Sequence, residues 1–224
     1  MSDRALVIAI DGPSGAGKGT VARTIAARLN YRHVDTGAMY RAVAWKTIAD
    51  GIDLSDGDAV AALARRATLE VDHVVRVDGH EITAAIRTPE IDRAAAIVAQ
   101  HPSVRAVLVG QQREYGAAGG VVMEGRDIGS VVFPAADVKV YLDAAPDERA
   151  RRRALDAAHS AGRAEGTGVD VAQALADRDR TDRTRAASPL TMPADAVYID
   201  TTGMAIADVV GRVLALVEAR LAVA

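Results

Sequence analysis

The stretch that decides the fold runs from Ile8 to Thr20 and reads IAIDGPSGAGKGT. It overlaps a continuous apolar run, Ala5 to Ile10, whose β-branched members predict a buried strand. The glycines that follow predict a tight turn with backbone N–H groups pointing inward. A helix is then expected from Lys18 to about Leu29, so strand, glycine-rich turn and helix follow one another directly.

This succession is typical of a P-loop, which binds nucleotide phosphates. The helix contributes its positive N-terminal end, and Lys18 supplies a point charge for the outer phosphates. A glycine-rich turn without a ligand is the alternative, but spacing, strand and helix all favour phosphate binding. We therefore expect ATP to contact Gly12, Pro13, Ser14, Gly15, Ala16, Gly17, Lys18, Gly19 and Thr20.

The residue after the lysine departs from the general motif, which has Ser or Thr there. Gly19 occupies that position, and Thr20 follows. In many P-loop proteins the missing hydroxyl is a magnesium ligand, so we expect the metal to be held less directly here. The sequence assigns no metal ligand.

Length, charge and composition limit the classes of protein that the chain can belong to. Its 224 residues suffice for one α/β domain with insertions, and half of them are apolar. The absence of cysteine excludes disulfides, thiol catalysis and cysteine-ligated metals. A net charge of −3 gives no general attraction to nucleic acid or acidic membranes. No apolar run is long enough for a membrane span, and the first residues lead directly into a strand, so we expect a soluble cytoplasmic protein. We also expect a monomer.

Strands alternate with helices along the chain, which predicts a parallel, doubly wound sheet. Strands are expected at 31–35, 121–124, 138–142 and 197–200, and helices at 36–49, 59–67, 89–100, 102–115 and 205–221. Thr36 is the expected cap of the second helix. Between 68 and 83 the period changes, and Asp78-Gly79 predicts a hairpin in a small inserted antiparallel sheet. Because ligands bind at the carboxyl ends of parallel strands, Gly12, Asp35 and Glu124 should share one cleft.

An arginine-rich region begins at Pro146 and is broken by glycines at 162, 166 and 168. A solvated helix face with salt bridges is one interpretation, since acidic residues are interleaved. Nucleic-acid binding is disfavoured because the acids cancel the positive field and aromatic residues are missing. Beside a P-loop, two arginine-rich helices are typical of a lid that closes over phosphates, expected here over residues 147–187.

Four charged residues at predicted strand ends are better candidates for a site than for structural roles: Asp35, Arg41, Arg126 and Asp127. Taken singly, each has a structural alternative, namely a helix cap, a surface charge or an ion pair. The five histidines are scattered without the spacing of metal ligands. Phosphoryl transfer to a phosphate needs no general base, and no Ser/His/Asp constellation is present.

With these motifs in order, the chain resembles the bacterial-type cytidylate kinases, within the nucleoside monophosphate kinases. The resemblance covers almost the whole length and is carried by the stretches 10–20, 35–41, 86–90, 124–129 and 183–190. It implies a single α/β P-loop kinase domain over residues 1–224 with a parallel doubly wound sheet, an arginine lid and an inserted CMP-binding subdomain at 68–104. It also implies ATP-dependent phosphorylation of CMP and dCMP, with magnesium as the cofactor.

The resemblance further implies roles for individual residues. Thr36, Arg41, Arg126 and Arg185 would hold the CMP phosphate, and Gly37 would also contact CMP. Arg178 and Asp182 would meet the sugar, and Arg105 and Asp127 would contact the cytosine. Lys18, Arg126, Arg178 and Arg185 would be catalytic, and Arg149 and Arg153 would belong to the lid. Relatives have a base-contacting serine where this chain has Ala96. A kinase for another small acceptor and a nucleotide-binding switch are the remaining alternatives.

Overall fold

The computed structural model describes residues 5–72, 74–155 and 168–222. Its main sheet has five parallel strands in the order β2-β6-β1-β7-β8. Their bounds are β1 Val7–Asp11, β2 Arg32–Asp35, β6 Val121–Gly125, β7 Val138–Asp143 and β8 Val197–Asp200. The predicted parallel sheet is confirmed, and the first strand is shifted by one to two residues from its expected place.

Eight α-helices are described, and they surround the main sheet and the insert. They are α1 Lys18–Leu29, α2 Thr36–Ala49, α3 Gly57–Arg66, α4 Pro89–Val98, α5 Pro102–Gly116, α6 Pro146–Leu155, α7 Gly168–Thr184 and α8 Ile206–Leu221. A π-helical turn at Ile128–Val132, which the sequence did not predict, follows β6. Among the described residues, no helix has the length and apolarity needed to cross a bilayer.

The main sheet is covered by apolar side chains on both faces, as a doubly wound sheet requires. Ile8 and Ile10 of β1 belong to a buried cluster with residues of α1 and α8. Ala9 points to the opposite face and joins a second cluster that includes residues of α2, α3 and α5. Since β1 is the central strand and is buried on both faces, the turn that follows it has a rigid base.

The predicted insert is present as a second sheet of three antiparallel strands, in the order β3-β4-β5. The strands are β3 Leu69–Val71, β4 Val75–Val77 and β5 His80–Glu81. Asp78 and Gly79 both have positive φ, which fits the predicted hairpin turn. Buried residues of the insert, such as Val77 and Ile91, share one apolar cluster with the main sheet, so the insert packs against the core.

Thr36 is not the cap of α2, contrary to expectation. Asp35 occupies the N-cap position, and its Oδ1 accepts a hydrogen bond from the Ala38 N–H. The Thr36 hydroxyl instead donates to the Glu124 carbonyl, at 2.7 Å. The prediction failed because β2 continues up to Asp35, which makes Thr36 the first residue inside the helix.

The two helices expected in the arginine-rich region are α6 and α7. The glycine-rich tip predicted between them lies largely outside the described residues, since positions 162 and 166 fall in the gap. Gly168 begins α7. The described helices place several arginines beside the carboxyl ends of the parallel strands.

Candidate active site

One large cavity, of about 810 Å³, lies at the carboxyl ends of the parallel strands. Its wall combines the phosphate-binding turn, the start of α2, the end of β6, the insert and the arginine-rich helices. Of the predicted ATP-binding residues, the wall includes Ser14, Gly15, Gly17, Lys18, Gly19 and Thr20. It also includes all nine residues predicted to bind CMP: Thr36, Gly37, Arg41, Arg105, Arg126, Asp127, Arg178, Asp182 and Arg185.

The turn after β1 has a backbone that only glycine tolerates at its first position. Gly12 has φ +143°, and a Cβ placed there would lie 1.9 Å from the Leu142 carbonyl oxygen. The turn therefore packs directly on β7. The described residues that line the cavity do not include Gly12, Pro13 or Ala16. These three residues belong to the turn without facing the cavity.

Lys18 is buried beside this turn, with only 6% of its surface exposed. Its ammonium donates to the Pro13 carbonyl at 2.8 Å. Burial, together with the positive charge of Arg126, lowers the pKa of Lys18 to about 7. A buried cation with a depressed pKa gains stabilisation when an anion such as a phosphate arrives.

Asp11 connects the turn to the segment after β6. Its two carboxylate oxygens accept hydrogen bonds from Ile128 N–H and Gly129 N–H, at 2.8 and 2.7 Å. Burial raises the pKa of Asp11 to about 6, although these two hydrogen bonds oppose the rise. The contact fixes the backbone that carries Arg126 and Asp127 relative to the P-loop.

Asp35 and Arg41 form an ion pair at the start of α2, with 3.0 Å between Arg41 Nη2 and Asp35 Oδ2. Arg87 of the insert lies 3.9 Å from the same oxygen. Burial tends to raise the pKa of Asp35, but Arg41 and Arg87 outweigh it and hold that pKa at about 2. The carboxylate therefore stays ionised and orients Arg41 in the wall of the cavity.

Two carboxylates hold three further arginines in the wall of the cavity. Asp182 accepts from Arg126 Nε at 2.8 Å and from Arg185 Nη1 at 3.2 Å. Asp127 accepts from Arg105 and lies 3.6 Å from Arg185 Nη2. This network brings positions 105, 126 and 185, far apart in sequence, into one cationic surface.

The two predicted lid arginines have different surroundings. Arg153 lines the cavity and pairs with Asp92 of α4, which also lies 3.5 Å from Arg178 Nη1. Arg149 is not among the described residues that line the cavity. It donates to the carbonyls of Ser14 and Ala144, at 3.1 and 3.0 Å, and to Asp179 at 2.5 Å. Its contacts are those of an anchor between α6, α7 and the P-loop.

Sequence reasoning missed several residues of the cavity wall, among them Tyr40, Arg87, Arg151, Arg152 and Ile206. Tyr40 is buried, the guanidinium of Arg105 lies 5.5 Å from its ring centre, and its hydroxyl has no hydrogen-bond partner among the described residues. Its signal in the sequence was its position one turn after Thr36, the first residue of α2. Glu124 was expected in the cleft as a strand end, but no role was assigned to it.

A magnesium ion would need oxygen ligands beside the P-loop. The described residues contain no group of three or more His, Cys, Asp or Glu side chains that could hold a metal. Magnesium is commonly bound through one or two carboxylates plus substrate phosphates. Glu124 supplies a carboxylate beside Gly19, where a Cβ would lie only 3.0 Å from Glu124 Oε1. The residues therefore fit a magnesium ion that arrives with a nucleotide, and glycine after Lys18 leaves room for the carboxylate.

The cavity has two chemically different ends. Beside the P-loop it is lined by Met204, Ala205 and Ile206. Ile206 lies closest to the turn, with its Cδ1 4.0 Å from where a Cβ on Gly17 would stand. At the other end it is bounded by alanines of α4 and by the Arg105–Asp127 pair. Two ligands whose phosphates meet between Lys18 and the arginines would fit this arrangement.

The sequence model of the cytidylate kinase family matches residues 8–219. A cytidylate kinase from Solibacter usitatus (strain Ellin6076) is 45% identical over 96% of this chain and 93% of its own length. A cytidylate kinase from Desulfitobacterium hafniense (strain Y51) is 46% identical, with 94% and 92% covered.

Solved structures share the fold at low sequence identity. A gluconokinase from Sinorhizobium meliloti 1021 superposes with a TM-score of 0.52 at 16% identity, covering 98% of this chain and 95% of its own. A shikimate kinase from Bacteroides thetaiotaomicron gives 0.50 at 14%, with 95% and 98% covered. These similarities support the P-loop kinase fold alone. The match of the family model to nearly the whole chain, together with relatives of 45% identity and more, shows that this chain belongs to the cytidylate kinase family.

Proposed function

We propose that this protein is a kinase that transfers the γ-phosphoryl group of ATP to CMP and dCMP, giving ADP and the cytidine diphosphates. The observation that carries the proposal is a cavity in which the P-loop and a cluster of arginines line the same wall, in a chain of the cytidylate kinase family. The P-loop end would receive ATP, and the arginine end would receive the nucleoside monophosphate.

Transfer between two phosphates depends on positioning and charge neutralisation, since the attacking phosphate oxygen is already ionised. Lys18 would follow the charge that moves during transfer, and its burial makes it respond strongly to that charge. Arg41 and Arg126 would hold the acceptor phosphate, each oriented by a carboxylate, Asp35 or Asp182. Arg178 and Arg185 would add charge from α7 and the segment after it.

Magnesium is the expected cofactor, and when bound with ATP it would supply positive charge that neutralises the phosphates. In this chain the Glu124 carboxylate, beside Gly19, would take part in holding it. The residue directly after Lys18 is Gly19, which has no hydroxyl. Binding of the metal through Glu124, at the end of β6, would fit the presence of Gly19 where the general motif has Ser or Thr.

The cytosine would lie near Arg105 and Asp127, at the end of the cavity lined by Ala96. An ionised carboxylate only accepts hydrogen bonds, so Asp127 favours the amino group of cytosine over the carbonyl of uracil. Arg105 already occupies one Asp127 oxygen and fixes its orientation. Ala96 brings no hydroxyl to this contact, so the rejection of UMP would depend mainly on this pair.

The experiment is a coupled ADP-release assay with CMP, dCMP, UMP, AMP and GMP, and with gluconate and shikimate as unrelated acceptors. CMP and dCMP should be by far the best substrates. Lys18→Ala should remove most activity while the protein stays folded. Lys46→Ala is the matched control, because Lys46 pairs with Asp50 on the opposite end of α2 and should be dispensable. ATP turnover with another acceptor at a higher kcat/KM than CMP would contradict the proposal. The expected monomer in the cytoplasm stays a prediction.

A further inference from the structure

Glu124 has a partner behind the cavity wall, the imidazole of His33. The two residues stand on neighbouring parallel strands, β2 and β6, where His33 is in register with Val122. His33 Nε2 lies 3.2 Å from Glu124 Oε1, and the side chains are only 9% and 10% exposed. Of the described residues, His33 is not among those that line the cavity, so it reaches Glu124 from outside the site.

The carboxylate of Glu124 is attracted from two sides, by cations of the cavity and by the imidazole of His33. On the cavity side, the positive charges of Lys18 and Arg126 both act on it. On the other side, the imidazole is the hydrogen-bonding partner of Oε1. The backbone of Glu124 is held in place, because the Thr36 hydroxyl donates to the Glu124 carbonyl at 2.7 Å. Only the side chain can therefore change which group it contacts.

A glutamate side chain is long enough to change its contacts by rotation alone. Without a donor behind it, the carboxylate would be free to rotate away from its position beside Gly19. It would then be lost as a metal ligand. The partners of ligating groups commonly set their orientation in this way.

We propose that His33 is a positioning residue for the metal–nucleotide site: its Nε2–H donates to Glu124 Oε1 and holds the carboxylate beside Gly19, where the magnesium of MgATP would bind. The inference rests on the proposed function. It assigns His33 no contact with either substrate and no proton transfer. The proposal gives a role to His33, one of the five histidines that lack the spacing of metal ligands, beside a carboxylate at a strand end.

The test measures metal binding directly. Mn²⁺ replaces magnesium, and its affinity for the complex with a non-hydrolysable ATP analogue is measured by electron paramagnetic resonance. His33→Leu should weaken Mn²⁺ binding roughly 10- to 100-fold, as is usual for loss of a partner of a metal ligand. His33→Gln, whose amide nitrogen can take the place of Nε2, should restore binding to within about threefold of wild type. His80→Leu, on the exposed hairpin, is the matched control and should change nothing.

Two further measurements separate positioning from a general structural role. In EDTA, the affinity for the ATP analogue should be the same in wild type and His33→Leu. In the background of Glu124→Gln, adding His33→Leu should cost no further Mn²⁺ affinity. His33→Asn, which is polar but too short to reach, serves as the second loss variant if the leucine variant does not fold.

The outcomes distinguish this inference from the proposed function. Unchanged Mn²⁺ affinity in both loss variants, or an equal loss of affinity in EDTA, would overturn the role of His33. Wild-type protein that binds no Mn²⁺ with the ATP analogue, or that releases no ADP with CMP, would instead contradict the proposed function.

Discussion

Replacing Lys18 by methionine should make the substrate-free protein more stable while it removes catalysis. Methionine has a similar length but no charge. Burial and the charge of Arg126 lower the pKa of Lys18 from 10.5 to about 7. Each pKa unit between the unfolded and folded chain corresponds to about 1.4 kcal/mol, so this ammonium costs the fold up to about 5 kcal/mol at low pH.

Part of this cost is offset in the wild type by the hydrogen bond from Lys18 to the Pro13 carbonyl, which contributes about 1 kcal/mol. After discounting for relaxation around the new side chain, we expect Lys18→Met to gain about 2 kcal/mol at pH 7. For a chain of this length, that gain raises Tm by roughly 4–8 °C.

The sign of the pH dependence follows from the direction of the shift. Because the folded pKa is below the unfolded one, the unfolded chain binds more protons between pH 7 and 10.5, and wild-type stability rises with pH in that window. The methionine variant lacks this gain, so its advantage should shrink by about 2 kcal/mol between pH 7 and pH 9.

The assay is urea unfolding of both proteins at the two pH values, together with kcat for CMP. Lys139→Met is the matched control, since Lys139 is similarly buried but bound to Asp195 at 2.6 Å and should gain no stability. A methionine variant that is less stable at pH 7, or whose advantage does not depend on pH, would refute the reasoning about the buried charge. A kcat within about tenfold of wild type, worth only about 1.4 kcal/mol, would refute the phosphate role.

Four further predictions test other parts of the site. Asp127→Asn should reduce the ratio of kcat/KM for CMP over UMP, expected on the order of 10² in the wild type, because the amide can turn to donate to uracil; an unchanged ratio would make Asp127 a purely structural ion-pair partner. Gly12→Ala should destabilise by about 3 kcal/mol or more in urea unfolding, since its Cβ would lie 1.9 Å from a carbonyl oxygen of β7. Gly110→Ala, a helical position with open space around it, is the control and should be neutral or stabilising. Asp35 has a folded pKa of about 2, below its ordinary 3.8, so above pH 4 its ionised carboxylate contributes roughly 2 kcal/mol to the free energy of unfolding. This contribution should be lost as the pH falls to 2, and Asp35→Asn should show no such loss in urea unfolding. Hydrogen exchange of α7 should slow only when ATP and CMP are both added, because two sets of phosphates attract several arginines at once; equal exchange in all four conditions would count against a lid.

The site was predicted from sequence to the extent that its parts are local motifs. The P-loop, the Asp78–Gly79 hairpin and the two helices of the arginine-rich region each depend on the period of apolar residues and on turn chemistry within a short window. All nine residues expected around CMP line the cavity. Six of them belong to the stretches that carry the family resemblance, whereas Arg105, Arg178 and Asp182 were assigned from the resemblance as a whole. Their individual roles stay predictions.

Motifs alone did not reveal how a side chain is used. Arg149 was expected in the lid with Arg153, and both stand on α6 at a spacing of one helical turn. The structure engages Arg149 with Ser14, Ala144 and Asp179 instead, because its side chain points under the P-loop and is buried there. The sequence does not distinguish a buried arginine from one that faces a ligand.

The sequence by itself determined the order and type of the elements, the phosphate-binding turn and the family. The tertiary structure alone decided that β6 lies between β1 and β2, that Asp35 rather than Thr36 caps α2, and that His33 lies within 3.2 Å of Glu124. The physical reason is the distance along the chain. Elements form from contacts within a few residues, whereas the pairing of His33 with Glu124 joins positions 91 residues apart, and it exists only because their two strands lie side by side in the folded sheet.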